Sequence, residues 1–249
     1  MLNRNRILFS QKLEISLIAV LVILSHALTP DTDAKMMSAD VSEENLAQAT
    51  YIIEREIVPD IDEIIVLDAG HGGVDSGSVG ENGAYEKDIN LAITLKLGEY
   101  LTENGVQVIY TREDDQVAWI DTTEDLQKRI DTGIHASASY FISIHLNSSE
   151  YNDGARGFEI YTDGRSDDIV MLASSIQTAL NGLAYTADRG IKNTHEMGSL
   201  YVVDQNPVAS LLLELGFISD SSDLTYLNSS YGQQEIAKAL GKAILTHLI

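Results

Sequence analysis

The 249-residue sequence contains no cysteine. That excludes disulfides and any thiolate metal site, so a metal here must be held by His, Asp or Glu. It also excludes a lipidated cysteine behind an N-terminal apolar segment, and it suits an exported protein that avoids thiol oxidation. Positive charge is scarce as well: 16 Lys and Arg stand against 38 Asp and Glu, a net of −22. Such a chain does not bind nucleic acid or an anionic surface through bulk charge. There is no internal repeat. There is also no apolar run as long as the ~20 residues that a membrane-spanning helix needs. The longest, Ile15 to Leu24, is interrupted by Ser16 and extends only weakly to Leu28.

What is present at the N-terminus still has a clear pattern. Arg4, Arg6 and Lys12 precede the apolar run, and a polar, acidic stretch follows it. This is the layout of an export signal or a short membrane anchor. Residues 1–29 are therefore expected to engage export machinery or the membrane, placing the rest outside the cytoplasm. Residues 30–62, with Pro30 and Pro59 near the ends, read as an acidic spacer.

From Ile64 onward apolar periodicity is regular. Short runs at Ile64–Leu67, Val106–Tyr110, Tyr140–His145, Gly157–Tyr161, Leu200–Val203 and Ser210–Leu213 predict strands. Helical spacing predicts helices over Asp88–Leu101, Asp121–Ala138, Ser166–Leu183 and Tyr231–Ile249. The alternation implies one α/β domain over 63–249. Its sheet should be mixed but mostly parallel, with about six strands and helices on both faces.

Two of the six histidines stand where a strand gives way to a loop. His71 lies in Asp68-Ala-Gly-His-Gly-Gly73, and His145 closes Tyr140-Phe-Ile-Ser-Ile-His. Sites in open α/β sheets collect beyond the carboxyl ends of parallel strands. Two strand-end histidines can thus lie side by side although 74 positions separate them. The glycines around His71 would leave room for a substrate. Of the others, His26 and His247 read as inert, His135 as a surface residue and His195 as a loop residue outside the chemistry. A catalytic zinc takes three protein ligands and leaves one position open. With no third histidine well placed, the third ligand is a carboxylate: Glu86, with Asp88 and Asp68 as rivals. Glu86 could equally be a charge complementing the first helix dipole. Glu214 ends the apolar strand Ser210-Leu-Leu-Leu. It is either a buried ion-pair partner of Arg189 or Lys192, or the general base of a metal-dependent hydrolysis.

Taken together, the ordered pieces resemble the zinc-dependent N-acetylmuramoyl-L-alanine amidases. The pieces are Asp68 to Gly73, Glu86 opening the first helix, Ser143-Ile-His-Leu-Asn147 and Leu213-Glu-Leu-Gly-Phe-Ile-Ser219. Thr111-Arg112, Gly157-Phe-Glu-Ile-Tyr161 and Arg189-Gly-Ile-Lys192 support them. The resemblance implies one Zn2+ held by His71, Glu86 and His145, with Glu214 as catalytic carboxylate. It implies substrate contacts from Asn147 and Arg189, and Asp68 orienting His71 from behind. The implied reaction splits the amide between the lactyl group of N-acetylmuramic acid and L-alanine in peptidoglycan. Alternatives are an inactive relative that binds peptidoglycan or a partner, and a zinc peptidase acting on another peptide. Asp220 stands where the family often has Asn, which should alter a turn and spare the metal site. Some relatives carry a long inserted helix that blocks the zinc until a partner displaces it. Only one ordinary helix fits between Gly157 and Arg189, so an open site, a monomer and no activator are expected. No separate wall-binding repeat is visible.

Overall fold

A computed structural model describes residues 61–117, 122–150 and 154–249. The export segment and nearly all of the spacer lie outside these residues. The spacer's last two positions, Ile61 and Asp62, belong to the first strand, which starts three residues before the apolar run suggested.

Six strands form one sheet: β1 (Ile61–Ala69), β2 (Val106–Tyr110), β3 (Tyr140–Asn147), β4 (Phe158–Thr162), β5 (Asp188–Asn193) and β6 (Ala209–Phe217). Their order is β2-β1-β3-β6-β4-β5. The first four run parallel, β4 is antiparallel to β6, and β5 is parallel to β4. The carboxyl ends of β1, β3 and β6 therefore meet the amino ends of β4 and β5 along one edge.

Strand alternation sorts the side chains. One face carries Ile65, Leu67, Ile142, Ile144, Leu211, Leu213, Phe158 and Ile160, all fully buried. It is covered by α1 (Glu86–Glu103), α3 (Asp167–Leu183) and α7 (Ser230–Leu248). Ile89, Ile93, Leu97 and Leu101 repeat every four residues along α1, which points that stripe at the sheet. The other face has a smaller core of Val66, Phe141, Leu212, Val202 and Val203. It lies under α2 (Thr122–Ala136) and the single-turn helices α4 (Thr194–Met197) and α5 (Tyr201–Asp204). On this second face β3 also presents Ser143, His145 and Asn147, β6 presents Glu214, and β4 presents Glu159 and Tyr161.

Four elements depart from the sequence reading, one of them the helical turn α4, which stands where a loop is expected. Leu200–Val203 is not a strand: Tyr201–Asp204 is helical, with the Asp204 carboxylate accepting from Leu200 N–H and two hydroxyls. Its apolar pair faces the second core, so the burial was right and the backbone was wrong. Asp188–Asn193 is a strand despite its charges, because an edge strand leaves half its positions in solvent. Finally, α6 (Ser221–Leu227) precedes the last helix. Asp220 is its N-cap, accepting from Ser222 and Asp223 N–H, which is what this position does with Asp in it. Residues 61–249 form one compact unit. Among the described residues no helix is long and apolar enough to cross a membrane.

Candidate metal centre and active site

β1 ends at Ala69, and the chain turns sharply over the glycines. His71 takes a left-handed backbone with φ 63°, a conformation that non-glycine residues hold only where surroundings fix it. Two buried arginines supply that fixation. Arg112 donates to the carbonyls of Ala69, Gly70 and Lys87, and Arg129 to those of Ala69 and His71. Asp68, buried inside β1, binds Arg129 at 2.9 Å and accepts from the Thr111 and Ser143 hydroxyls. Burial alone would raise its pKa, but Arg129 and the two hydroxyls outweigh that and lower it. Asp68 thus neither ends the strand nor touches the His71 ring; it reaches the His71 backbone through Arg129. The ring is oriented by Asp75, 2.8 Å from Nδ1.

His71 Nε2 lies 3.1 Å from Glu86 Oε1, and His145 Nδ1 lies 3.2 Å from the same oxygen. The two rings meet edge to face at 4.9 Å. One ligand atom from each of the three residues falls within 4.8 Å of the others. Bonds of 2.0–2.2 Å to a tetrahedral ion would space ligand atoms about 3.4 Å apart, so the two measured edges fit. Two imidazoles with a carboxylate and no thiolate is also a donor set that zinc accepts. Glu86 is 2 % exposed and further anchored by Ser78 and Leu146 N–H. The rivals do not enter: Asp68 is engaged with Arg129, and Asp88 points outward from α1.

Two of the glycines near His71 pass close to the side chains of this cluster. A Cβ on Gly70 would lie 2.3 Å from the His145 ring, and one on Gly77 would lie 2.7 Å from both Glu86 Oε2 and His71 Cδ2. Both are places where the backbone passes closer to a ligand side chain than alanine permits.

His145, Glu214 and Glu159 are cross-strand partners on β3, β6 and β4, a single row on the second face. Glu214 Oε2 is shut off from solvent with no hydrogen-bond partner. Burial raises its pKa, and although His145 and His71 pull it down, Glu86 and Glu159 add to the rise, leaving it at about 7. The ion pair with Arg189 or Lys192 is not formed. Arg189 Nε binds Glu159 Oε1 at 2.6 Å instead, and Asn147 Nδ2 and Tyr161 Oη donate to Glu159 Oε2. Glu159, Asp75 and the two arginines had no role from sequence alone. For Glu159 the signal was available: alternation in Gly157-Phe-Glu-Ile-Tyr161 puts its charge on one face between two apolar neighbours.

The remaining histidines lie elsewhere. His135 is exposed. His195 sits on α4, beyond the far ends of β4 and β5. His247 contacts Tyr140 Oη and Asp168, also at the far end of the sheet.

Without a cation the cluster favours a proton. Burial alone would lower the His71 pKa, but Glu86 and Asp75 outweigh it and raise it to about 9. Burial would raise Glu86, but the two imidazoles hold it well below the usual carboxylate range. The raised His71 value gives stability that is full below pH ~6.5 and lost as pH climbs through about 9. The raised Glu214 value gives stability that is full below pH ~4.5 and lost as pH climbs through about 7. Both have the same sign. The metal-free domain should therefore lose thermal stability steadily from pH 5 to pH 9, measured by calorimetry with chelator present. Glu214→Gln should remove the lower part of that slope, on the order of 3 kcal/mol.

Comparison with known proteins agrees with this geometry. Residues 65–246 match the family described as N-acetylmuramoyl-L-alanine amidase. The chain is 33% identical over 195 residues to the germination-specific N-acetylmuramoyl-L-alanine amidase of Bacillus subtilis, covering 74% of this chain and 79% of that one. It is 38% identical over 182 residues to the uncharacterized protein YqiI of the same organism, covering 72% and 82%. Among solved structures it is similar to the CwlD amidase from Clostridioides difficile in complex with the GerS lipoprotein. There the TM-score is 0.69 and the identity 33%, over 75% of this chain and 98% of that one.

Proposed function

The chain belongs to the N-acetylmuramoyl-L-alanine amidase family, and from that premise we propose that it is a zinc-dependent amidase. It cleaves the bond between the lactyl group of N-acetylmuramic acid and L-alanine of the stem peptide. The observation that carries this reading is the pairing of a three-residue ligand cluster with an unpartnered carboxylate oxygen on the neighbouring strand.

His71, Glu86 and His145 would hold one Zn2+, which supplies Lewis-acid polarisation and makes water more acidic at neutral pH. Asp75 fixes the His71 ring through Nδ1, so that Nε2 faces Glu86. Glu214, the strand neighbour of His145, takes the proton of the attacking water and returns it to the departing alanine nitrogen. Asn147 and Arg189 both bind Glu159, the strand neighbour of Glu214, and would contact the substrate from there.

We propose that the site needs no activator. α3, the helix between β4 and β5, packs with α7 on the opposite face of the sheet from Glu214. The C. difficile relative carries a lipoprotein partner, so wall digestion by the purified chain alone is the direct check on that point. We place the enzyme outside the cytoplasm at the cell wall, as a monomer, with residues 1–29 as signal or anchor.

Metal analysis tests the proposal. One zinc per chain, loss of wall digestion on chelation and recovery on zinc addition support it. Full digestion by the metal-free protein contradicts it, and a protein without zinc or product is the inactive relative. Asp75→Ala should weaken zinc binding by roughly 10- to 100-fold, because the ring loses the group that orients it. Competition with a chromogenic chelator measures this.

A further inference from the structure

The second face of the sheet is closed by α2 over β1, and by α5 through Val202 and Val203 against Leu212. Past Leu212, toward the carboxyl end of β6, it carries Asn147, Glu214, Glu159 and Arg189, with Phe217 beneath Arg189. Arg189 is the positive member of that row, and its setting is unusual in an acidic chain. Its Nε is held by Glu159 Oε1 at 2.6 Å, and its guanidinium lies 5.1 Å over the Phe217 ring. Glu159 is in turn 4 % exposed and held by Asn147 and Tyr161. Arg189 itself is 40% exposed. Among the described residues its two Nη groups have no hydrogen-bond partner. The fork is thus fixed in plane and direction with two adjacent donors turned to solvent. That is the geometry that receives one carboxylate through two parallel bonds.

We propose that Arg189 is a carboxylate-binding subsite for the peptide side of the substrate, a reading that rests on the amidase assignment. Glu159 is its positioning residue. β5 lies two strand spacings from β6, roughly 10 Å from Glu214 across the sheet. An extended peptide advances roughly 3.3 Å per residue. The carboxylate that reaches Arg189 is therefore carried two to three residues beyond the cleaved amide. A peptide amidated at that position loses the contact and leaves two donors facing water.

The test uses the zinc-loaded full chain and two probes, L-alanyl-γ-D-glutamyl-L-lysine amide with the glutamate α-carboxylate free or amidated. Titration calorimetry is expected to show the acid form binding roughly tenfold or more tighter than the amide. Arg189→Ala should bind the two forms equally, and Arg189→Lys should retain a reduced preference. Removing Arg189 alone leaves the buried Glu159 charge without its cation, so the double variant Glu159→Gln/Arg189→Ala guards against misfolding and should also bind both forms equally. Equal binding by the unaltered chain, no binding of either probe, or a preference that survives in both alanine variants overturns the subsite. Stem-peptide release from wall reports separately on the amidase reading. Release without carboxylate preference leaves that reading standing, and preference without release leaves the subsite standing.

Discussion

Replacing Glu214 with Gln lowers turnover of cell-wall substrate by roughly 10²- to 10⁴-fold, the range that a positioned general base contributes. Zinc content should stay at that of the unaltered chain. Glutamine keeps the shape and removes the basic oxygen. Little else should change, because Oε2 has no hydrogen-bond partner to lose and β6 keeps its pairing with β3 and β4. The metal ligands are untouched. A Glu214→Gln protein with full activity contradicts the assignment of the base. One that loses zinc as well means that the carboxylate supports the metal and not the proton transfer. Paired measurement of turnover and metal content separates these outcomes.

Replacing His71 with Ala should abolish both at once. It removes one of the three proposed ligands and breaks the contact between Glu86 Oε1 and the ring 3.1 Å away. Sharing a typical zinc free energy among the ligands gives roughly 100-fold or more in affinity for one lost imidazole. The substitution should not unfold the domain. Arg112 and Arg129 hold the loop through the carbonyls of Ala69, Gly70 and His71, none of which depends on the imidazole. Alanine at φ 63° carries some backbone strain, so His71→Asn, which tolerates that region, is the companion variant. Both should lack zinc at concentrations that saturate the unaltered chain.

The fold was legible where burial and periodicity coincide. α1, α3 and α7 repeat their apolar residues on one face, and β1, β3 and β6 are continuous apolar runs because helices cover them. The reading failed where those signals part. Tyr201-Val-Val-Asp has two β-branched residues in sequence, and tertiary packing with the Asp204 carboxylate imposes a helical turn on them. β5 has no apolar run because it is an edge strand. In the site, the residues with a clear position in sequence were those that close apolar runs: His71 just past β1, and His145 and Glu214 toward the carboxyl ends of β3 and β6. What surrounds them was hidden, since Arg112, just past β2, and Arg129, on α2, reach the His71 loop over separations that no local pattern encodes. Arg189 was visible as a charge near Glu214, but its actual partner, Glu159, depends on the antiparallel turn of β4 against β6.

The most direct measurement is mass spectrometry of purified peptidoglycan after digestion by the zinc-loaded chain, with Glu214→Gln in parallel. The account predicts stem peptides with a free L-alanine amino terminus and glycan strands of unchanged length, and none of these products from the variant. Cleaved glycan, peptides cut internally, or identical products from both proteins would contradict it.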